Sequence, residues 1–304
     1  MTSFVTVRVP AKVNVYLGVG PKQENGFHEL ATVFQSVSLY DDITVAPAEQ
    51  LTIRGTGPLG KSVPVDESNL AWKAAVIMGQ RTQHEPHVAI TIEKHIPVAA
   101  GMAGGSADAA ATLLALDALW GLECTREELD DMASELGSDV AFMLHGGCAL
   151  GTGRGDVLTP IMTRGKFNWV FATFNRGLST ADVYERTDGL RGDQYDEQPT
   201  LPTAVLHALG QADPRELGPL LSNDLQPAAL SLRPALNEVL VYGRESGALG
   251  AVVSGSGPTC AFLVADEESA FDVMSALKMS GLVDDVVSAF GPVHGPRVIA
   301  FSGI

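Results

Sequence analysis

The stretch from Ile96 to Trp120 reads IPVAAGMAGGSADAAATLLALDALW. Alanine and leucine, both strong helix formers, fill Ala107 to Trp120, and Gly121 follows as a stop. Ser106 is placed to cap this helix from its N-terminal side. Gly101, Gly104 and Gly105 stand immediately before it. Small residues let a backbone approach a ligand closely, and a helix start points unpaired N–H groups one way with a partial positive charge. The combination suits a phosphate. Two familiar phosphate motifs do not fit: no lysine follows Gly105 as GK[ST] requires, and G-x-G-x-x-G fails in spacing. Taken alone, the letters also fit a glycine turn that only tightens a strand-to-helix connection.

On the N-terminal side of this segment the pattern gives strands at Phe4 to Val9, Val13 to Val19, Val33 to Leu39, Ile43 to Ala46 and Val88 to Glu93, with a helix over Asn69 to Gln80. On its C-terminal side, helices are expected at Arg126 to Leu136 and just after Ser138. Past Leu158 the pattern restarts with a strand at Trp169 to Phe174 and helices near Ala181 to Asp188, Pro202 to Leu209 and Pro234 to Ser246. Strands at Ala251 to Ser254 and Cys260 to Val264, a helix at Glu267 to Leu277, and strands near Val283 to Ala289 and Arg297 to Phe301 complete it. The polar run from Asp188 to Pro202 reads as a mobile loop. This order is mixed without strict alternation, which favours α+β lobes over a doubly wound parallel sheet.

At 304 residues two packed lobes are the default, here residues 1–160 and 161–304 with a cleft between them. Acidic residues outnumber basic ones 36 to 20, a formal charge of -16 that opposes attraction to nucleic acid or to an anionic membrane. A phosphate-bearing ligand must then be held by a locally built positive site. Cys124, Cys148 and Cys260 lack CxxC or disulfide-framework spacing and read as reduced core residues. Met1 to Pro10 shows no basic region followed by an apolar run, and no segment offers the roughly 18 apolar residues of a membrane span. A cytoplasmic monomer or weak dimer is expected. His28-Glu29 begins an HExxH pattern that fails at Thr32, and no other metal-ligand spacing is present.

Three separated segments, PAKVNVYLGVG (Pro10 to Gly20), PVAAGMAGGSADAA (Pro97 to Ala110) and SGSGPT (Ser254 to Thr259), resemble the three signature motifs of the GHMP kinases. PKQENGFHEL (Pro21 to Leu30) and GSDVAFML (Gly137 to Leu144) are similar to the 4-diphosphocytidyl-2-C-methylerythritol kinases within that superfamily. The resemblance implies a two-lobed architecture, an N-terminal lobe of the ribosomal-protein S5 type and a ferredoxin-like C-terminal lobe, with the active site in the cleft. It implies ATP as co-substrate, magnesium, and a small-molecule acceptor phosphorylated on its 2-hydroxyl in the non-mevalonate isoprenoid route.

Carried residue by residue, the resemblance makes Asp139 the group that orients the acceptor hydroxyl and takes its proton, with Lys12 beside it and Asn14 in support. Phe27 and Tyr184 would cover the two faces of cytosine and His28 its edge, with Thr180 in the same acceptor site. Relatives usually carry tyrosine and phenylalanine, respectively, where Phe27 and Tyr184 stand. Gly255, Ser256 and Gly257 would bring backbone N–H groups to the acceptor's diphosphate. The ATP side would take in Pro97, Val98, Ala99, Ala100, Gly101, Met102, Ala103, Gly104, Gly105, Ser106 and Ala107, with Asn69, Lys94 and Asp108 toward the adenosine. Ser106 is a candidate magnesium ligand as well as a cap. Relatives often have glycine at Ala103, where a methyl restricts positive φ, and Asp108 would bring a negative charge near the nucleotide. The rivals are a homoserine or mevalonate kinase, whose acceptors have no base to stack on Phe27 and Tyr184, and a catalytically silent nucleotide-binding protein.

Overall fold

Valine at alternate positions 5, 7, 9, 13 and 15 commits the N-terminal chain to a strand with one buried face. The computed structural model describes residues 3–192 and 194–303 and shows this strand, β1, running from Phe4 to Lys22. It pairs antiparallel with β2 (His28–Pro47) along nearly its whole length. The register shifts between Pro10 and Ala11 and again between Asn14 and Tyr16, so what read as two pairs of shorter strands is one pair of long, bent ones. Pro10 has no N–H to give to the ladder and sits at the first shift.

The chain continues through β3 (Thr52–Thr56), α1 (Leu70–Thr82) and β4 (Val88–Glu93), where β3 lies parallel to β4 after crossing through α1. Then follow α2 (Gly104–Trp120), α3 (Arg126–Leu136), α4 (Ser138–His145), β5 (Cys148–Thr152) and β6 (Val157–Pro160). The second half comprises β7 (Phe167–Thr173), α5 (Thr180–Arg191), α6 (Thr203–Gln211), α7 (Pro214–Leu217), β8 (Ser222–Asn223), α8 (Gln226–Leu232) and α9 (Ala235–Glu245). It ends with β9 (Gly250–Val253), β10 (Cys260–Val264), α10 (Glu267–Ser280), β11 (Asp285–Gly291) and β12 (Arg297–Ser302).

Two sheets result, in a mixed helix-and-strand protein. The first runs β12-β1-β2-β4-β3, with β5 and β6 extending from β2 and the short β8 alongside β1. The second is antiparallel in the order β11-β7-β10-β9, the spatial order of a ferredoxin-like βαββαβ unit whose crossover helices are α9 and α10. The expected division at residue 160 falls between β6 and β7, while β8 and β12 lie past it and pair back onto β1.

Strand β7 joins the cores. Trp169 and Phe171 point from one face into the large core shared with β1, β2 and α2, and the Trp169 Nε1–H donates to Gln35 Oε1 at 2.8 Å. Val170 and Ala172 point the other way, into the core under α9 and α10. Helix α2 is central: alanines at 107, 109, 110, 111 and 115 are fully buried and let neighbouring backbones come close.

The loop reading of residues 188–202 is corrected at its start, where Asp188 to Arg191 form the last turn of α5. Further along, Pro199 lies against Gly18 and Gly20 of β1, and residue 193 lies outside the described residues. Strands β3, β5, β6 and β8 and helices α7 and α8 had no clear periodic signal, because each is short or lacks alternation.

Gly243 in α9 sits over the buried ring of Phe262, and a Cβ there would lie 2.1 Å from the ring's Cε1. Alanine for glycine in a helix normally stabilises by about 1 kcal/mol. Here Gly243→Ala is expected to destabilise by about 1–3 kcal/mol through overpacking, read as a lower denaturant midpoint.

Candidate active site

The glycine loop leaves β4 and enters α2 through three left-handed residues, Ala99 (φ 52), Gly101 (φ 78) and Ala103 (φ 59). Ala103 takes the positive φ despite its methyl, and Ala99 does the same. Such residues cost about 1–3 kcal/mol each and persist where surroundings fix them. Three anchors do so: the Lys12 N–H donates to the Met102 carbonyl at 3.3 Å, the Thr259 N–H to the Ala100 carbonyl at 3.3 Å, and Ser254 Oγ to the Gly101 carbonyl at 2.9 Å. Gly101 has no room for a side chain, since a Cβ would fall 1.9 Å from the Ser254 carbonyl oxygen.

Ser106 is not the cap. Helix α2 starts two residues earlier, with Ala103 in the N-cap position and no side chain capping it. Gly104, Gly105 and Ser106 instead form a first turn that faces a cavity, the arrangement that attracts an anion.

Opposite this turn, β1 presents Lys12 and Asn14, both buried. Lys12 Nζ donates to Asn14 Oδ1 at 2.6 Å and lies 3.6 Å from Asp139 Oδ2. Asn14 Nδ2 donates to Thr32 Oγ1 at 2.9 Å, which donates to the Tyr16 carbonyl at 2.8 Å. This relay fixes the side-chain oxygen of Asn14 toward the lysine. Asp139 lies in the first turn of α4 and is about one-third exposed toward the cavity. The solvated strand lysine that Lys12 resembles in isolation is ruled out by its burial.

A third group of residues surrounds the far end. His28 is buried beside Tyr184, their ring centres 5.0 Å apart, and its Nε2 meets Asp188 Oδ1 at 2.7 Å. Phe27 is half exposed at the rim, with the Arg154 guanidinium 5.1 Å from its ring centre. Burial, with the nearby charge of Asp139, pushes the Tyr184 phenol pKa up. Thr180 Oγ1 is hydrogen bonded to Ser256 Oγ at 3.0 Å, joining α5 to the 254–259 turn. Gly255 passes so close that a Cβ would sit 3.4 Å from both Lys12 Nζ and Asn14 Oδ1.

All three groups line one cavity of about 1210 Å³. It gathers Lys12, Asn14, Phe27, His28, Asp139, Thr180, Tyr184, Gly255 and Ser256 with Ala99, Ala100, Gly101, Ala103, Gly104, Gly105 and Ser106. The other expected site residues do not line it. Asn69 caps α1, accepting from the Ala71 N–H and donating to the Pro64 carbonyl. Lys94 and Asp108 are turned into the core and paired with each other, so Asp108 brings no free charge to the nucleotide. Met102 and Ala107 are fully buried, and Pro97 and Val98 precede the part of the loop that reaches the cavity. The Gly257 N–H is used by the Ser254 carbonyl within its own turn. Thr32, Arg154 and Asp188 line the cavity without having been expected. Asp188 was reachable, since Thr180, Tyr184 and Asp188 recur every fourth residue along one face of α5. Arg154 and Thr32 have no comparable signal.

Two family models match the chain: the GHMP kinases N terminal domain over residues 69–147 and the GHMP kinases C terminal domain over residues 205–281. The chain belongs to the GHMP kinases. Members of this family use ATP as a substrate. A relative from Mycolicibacterium gilvum named 4-diphosphocytidyl-2-C-methyl-D-erythritol kinase is 52% identical over 301 residues, 98% of this chain and 94% of that protein. A crystal structure of 4-(cytidine 5'-diphospho)-2C-methyl-D-erythritol kinase is similar with a TM-score of 0.76 and 32% identity, covering 94% of this chain and 98% of the other. A crystal structure of homoserine kinase from Cytophaga hutchinsonii shares the fold, with a TM-score of 0.73 at 19% identity over 98% of each chain.

Because Gly101 both needs its positive φ and abuts Ser254, Gly101→Ala is expected to weaken ATP binding at least about tenfold, a change of about 1.4 kcal/mol. Calorimetric titration of the folded variant with ATP checks it.

Proposed function

We propose that this chain transfers the γ-phosphoryl group of ATP to the 2-hydroxyl of 4-diphosphocytidyl-2-C-methyl-D-erythritol, giving the 2-phosphate and ADP in the methylerythritol phosphate route to isoprenoids. The observation that carries this reading is near full-length similarity, at 52% identity, to a kinase named for that acceptor. The homoserine kinase likeness at 19% identity speaks to the fold alone. The cavity supports the same reading. At about 1210 Å³ it exceeds the roughly 300–1,000 Å³ of a pocket for one drug-sized ligand and suits two substrates side by side.

The triphosphate lies over Gly101 to Ser106, where α2 supplies N–H groups and a partial positive charge. The acceptor enters from the opposite side with its base between Phe27 and Tyr184. His28 reads the edge of that base. With the Asp188 oxygen as acceptor, His28 donates from Nε2–H and leaves Nδ1 as the other polar atom of the ring. The 254–259 turn, fixed to α5 through Thr180 and Ser256, closes the side facing the diphosphate. The hydroxyl is thereby delivered beside Asp139 and Lys12.

Phosphoryl transfer asks for positioning and charge neutralisation more than covalent help. Asp139 orients the hydroxyl and takes its proton late, as the new P–O bond forms. The buried Lys12 ammonium, steered by Asn14, balances charge on the transferring group. Transfer is direct and in line, with no phosphoenzyme.

Among the described residues no group of three or more His, Cys, Asp and Glu side chains is arranged to hold a metal. Magnesium fits a different pattern, keeping several waters and binding through phosphates and one or two protein oxygens. The Ser106 hydroxyl in the cavity wall is the residue here that suits it. When bound, the ion neutralises triphosphate charge. The lobes at residues 1–160 and 161–304, and a cytoplasmic monomer or weak dimer, belong to the same proposal. No described helix is long and apolar enough to cross a membrane.

In a coupled assay with ATP and the cytidine-linked acceptor, Asp139→Asn is expected to lower kcat about 10²- to 10⁴-fold with little change in KM for ATP. Acceptor-independent ATP consumption, or none at all, would overturn the assignment. Cytidine diphosphate is expected to inhibit competitively against the acceptor and not against ATP. Inhibition competitive with ATP alone would remove the base-stacking role of Phe27 and Tyr184.

A further inference from the structure

Beneath the glycine loop, on the side away from the cavity, lies an ion cluster that the transfer chemistry does not use. Lys94 is 1% exposed, and its ammonium carries three donors and no acceptor. All three are placed: Asp41 Oδ2 at 2.6 Å, Asp108 Oδ2 at 2.7 Å and the Gly104 carbonyl oxygen at 2.9 Å. The other oxygen of Asp41 accepts from the N–H groups of His95 at 2.6 Å and Ile96 at 2.9 Å. One buried ammonium thus ties strand β2, the segment entering the glycine loop, and two successive turns of α2, through Gly104 and Asp108.

Gly104 is fitted to this lysine. A Cβ on it would lie 3.1 Å from Lys94 Nζ and 3.0 Å from the Pro97 carbonyl oxygen. Its lack of a side chain therefore serves the cluster below as well as the ligand face above. We propose that Asp41, Lys94 and Asp108 are positioning residues for ATP: they hold the Gly104 carbonyl toward the core so that the first N–H groups of α2 stay presented to the phosphates. The proposal rests on the triphosphate site assigned above.

Charge balance adds a second property. With every group ionised, two carboxylates and one ammonium leave a buried negative charge directly under a phosphate site. Asp108 Oδ1 is buried without a hydrogen-bond partner, a costly state for a carboxylate oxygen. Burial pushes the Asp108 carboxyl up to about 8, Lys94 opposing and Asp41 assisting. These two are the charged groups that act on it. Near neutral pH a proton on Asp108 leaves the cluster balanced. As pH rises through about 8 that proton is lost, and the negative charge appears below the turn. A carboxyl raised in the folded state contributes stability that is complete below its unfolded pKa, here about 3.8, and is lost progressively as pH climbs to the folded value of about 8, so melting temperature falls up to about pH 8 and levels off above it.

The test is ATP titration by calorimetry from pH 6.5 to 9.5, which needs no acceptor, with melting temperatures alongside. Asp108→Asn removes the titrating proton and still offers Lys94 an acceptor. The expected result is that native affinity weakens relative to Asp108→Asn as pH passes about 8. Lys94→Met is expected to weaken ATP binding about tenfold or more at neutral pH. Superimposable native and Asp108→Asn affinity profiles, with only the melting temperatures differing, would reduce the cluster to a structural role and overturn the proposal. A folded Lys94→Met with native ATP affinity would do the same. Failure of the acceptor to be phosphorylated while ATP binding behaves as described would count against the proposed reaction and leave the cluster's role standing.

Discussion

An ammonium removed from water must be met by acceptors, and Lys12 imposes that constraint on three distant parts of the chain. It is buried in the middle of β1, and its needs are met by Asn14 two residues along and by Asp139 from the start of α4. Asn14 is aimed by Thr32 of β2. The backbone of the same lysine holds Met102 of the glycine loop. Long β1–β2 pairing, a bent loop and a short helix are thus assembled around one positive charge, and displacing it would leave polar groups of three segments without partners.

The arrangement also answers a difficulty set by composition. A chain with a formal charge of -16 must bind polyanions, and the cavity wall itself carries Glu135, Asp139, Glu185 and Asp188 against Lys12, Lys22 and Arg154. The proposed triphosphate site meets this with backbone N–H groups at the mouth of α2 beside the single buried charge of Lys12, and such groups act only at the short range where a phosphate touches them. On that reading, selectivity for a correctly seated ligand over other anions follows from the short reach.

Much of this was legible in the letters. The alanine-rich helix behind closely spaced glycines was readable and its first turn does face the cavity, and Lys12, Asp139, His28 and Tyr184 fell in register with known motifs and line that cavity. What escaped was relational. The resemblance carried Lys94 and Asp108 over as nucleotide contacts, yet both face inward, where Lys94 pairs with Asp41 and Asp108. No spacing rule connects positions 41, 94 and 108. Ser106 resembled a cap because the glycines before it read as loop, although Gly104 and Gly105 are already helical. Short strands such as β5 and β8 owe their existence to a partner waiting beside them rather than to their own pattern.

Strand β7 gives one face to each of the two larger hydrophobic cores, and β12 returns from the far end of the chain to the edge of the first sheet. Neither half can lose its packing without stripping apolar surface from the other. A lesion in either half therefore exposes apolar surface belonging to the other and lowers the stability of both.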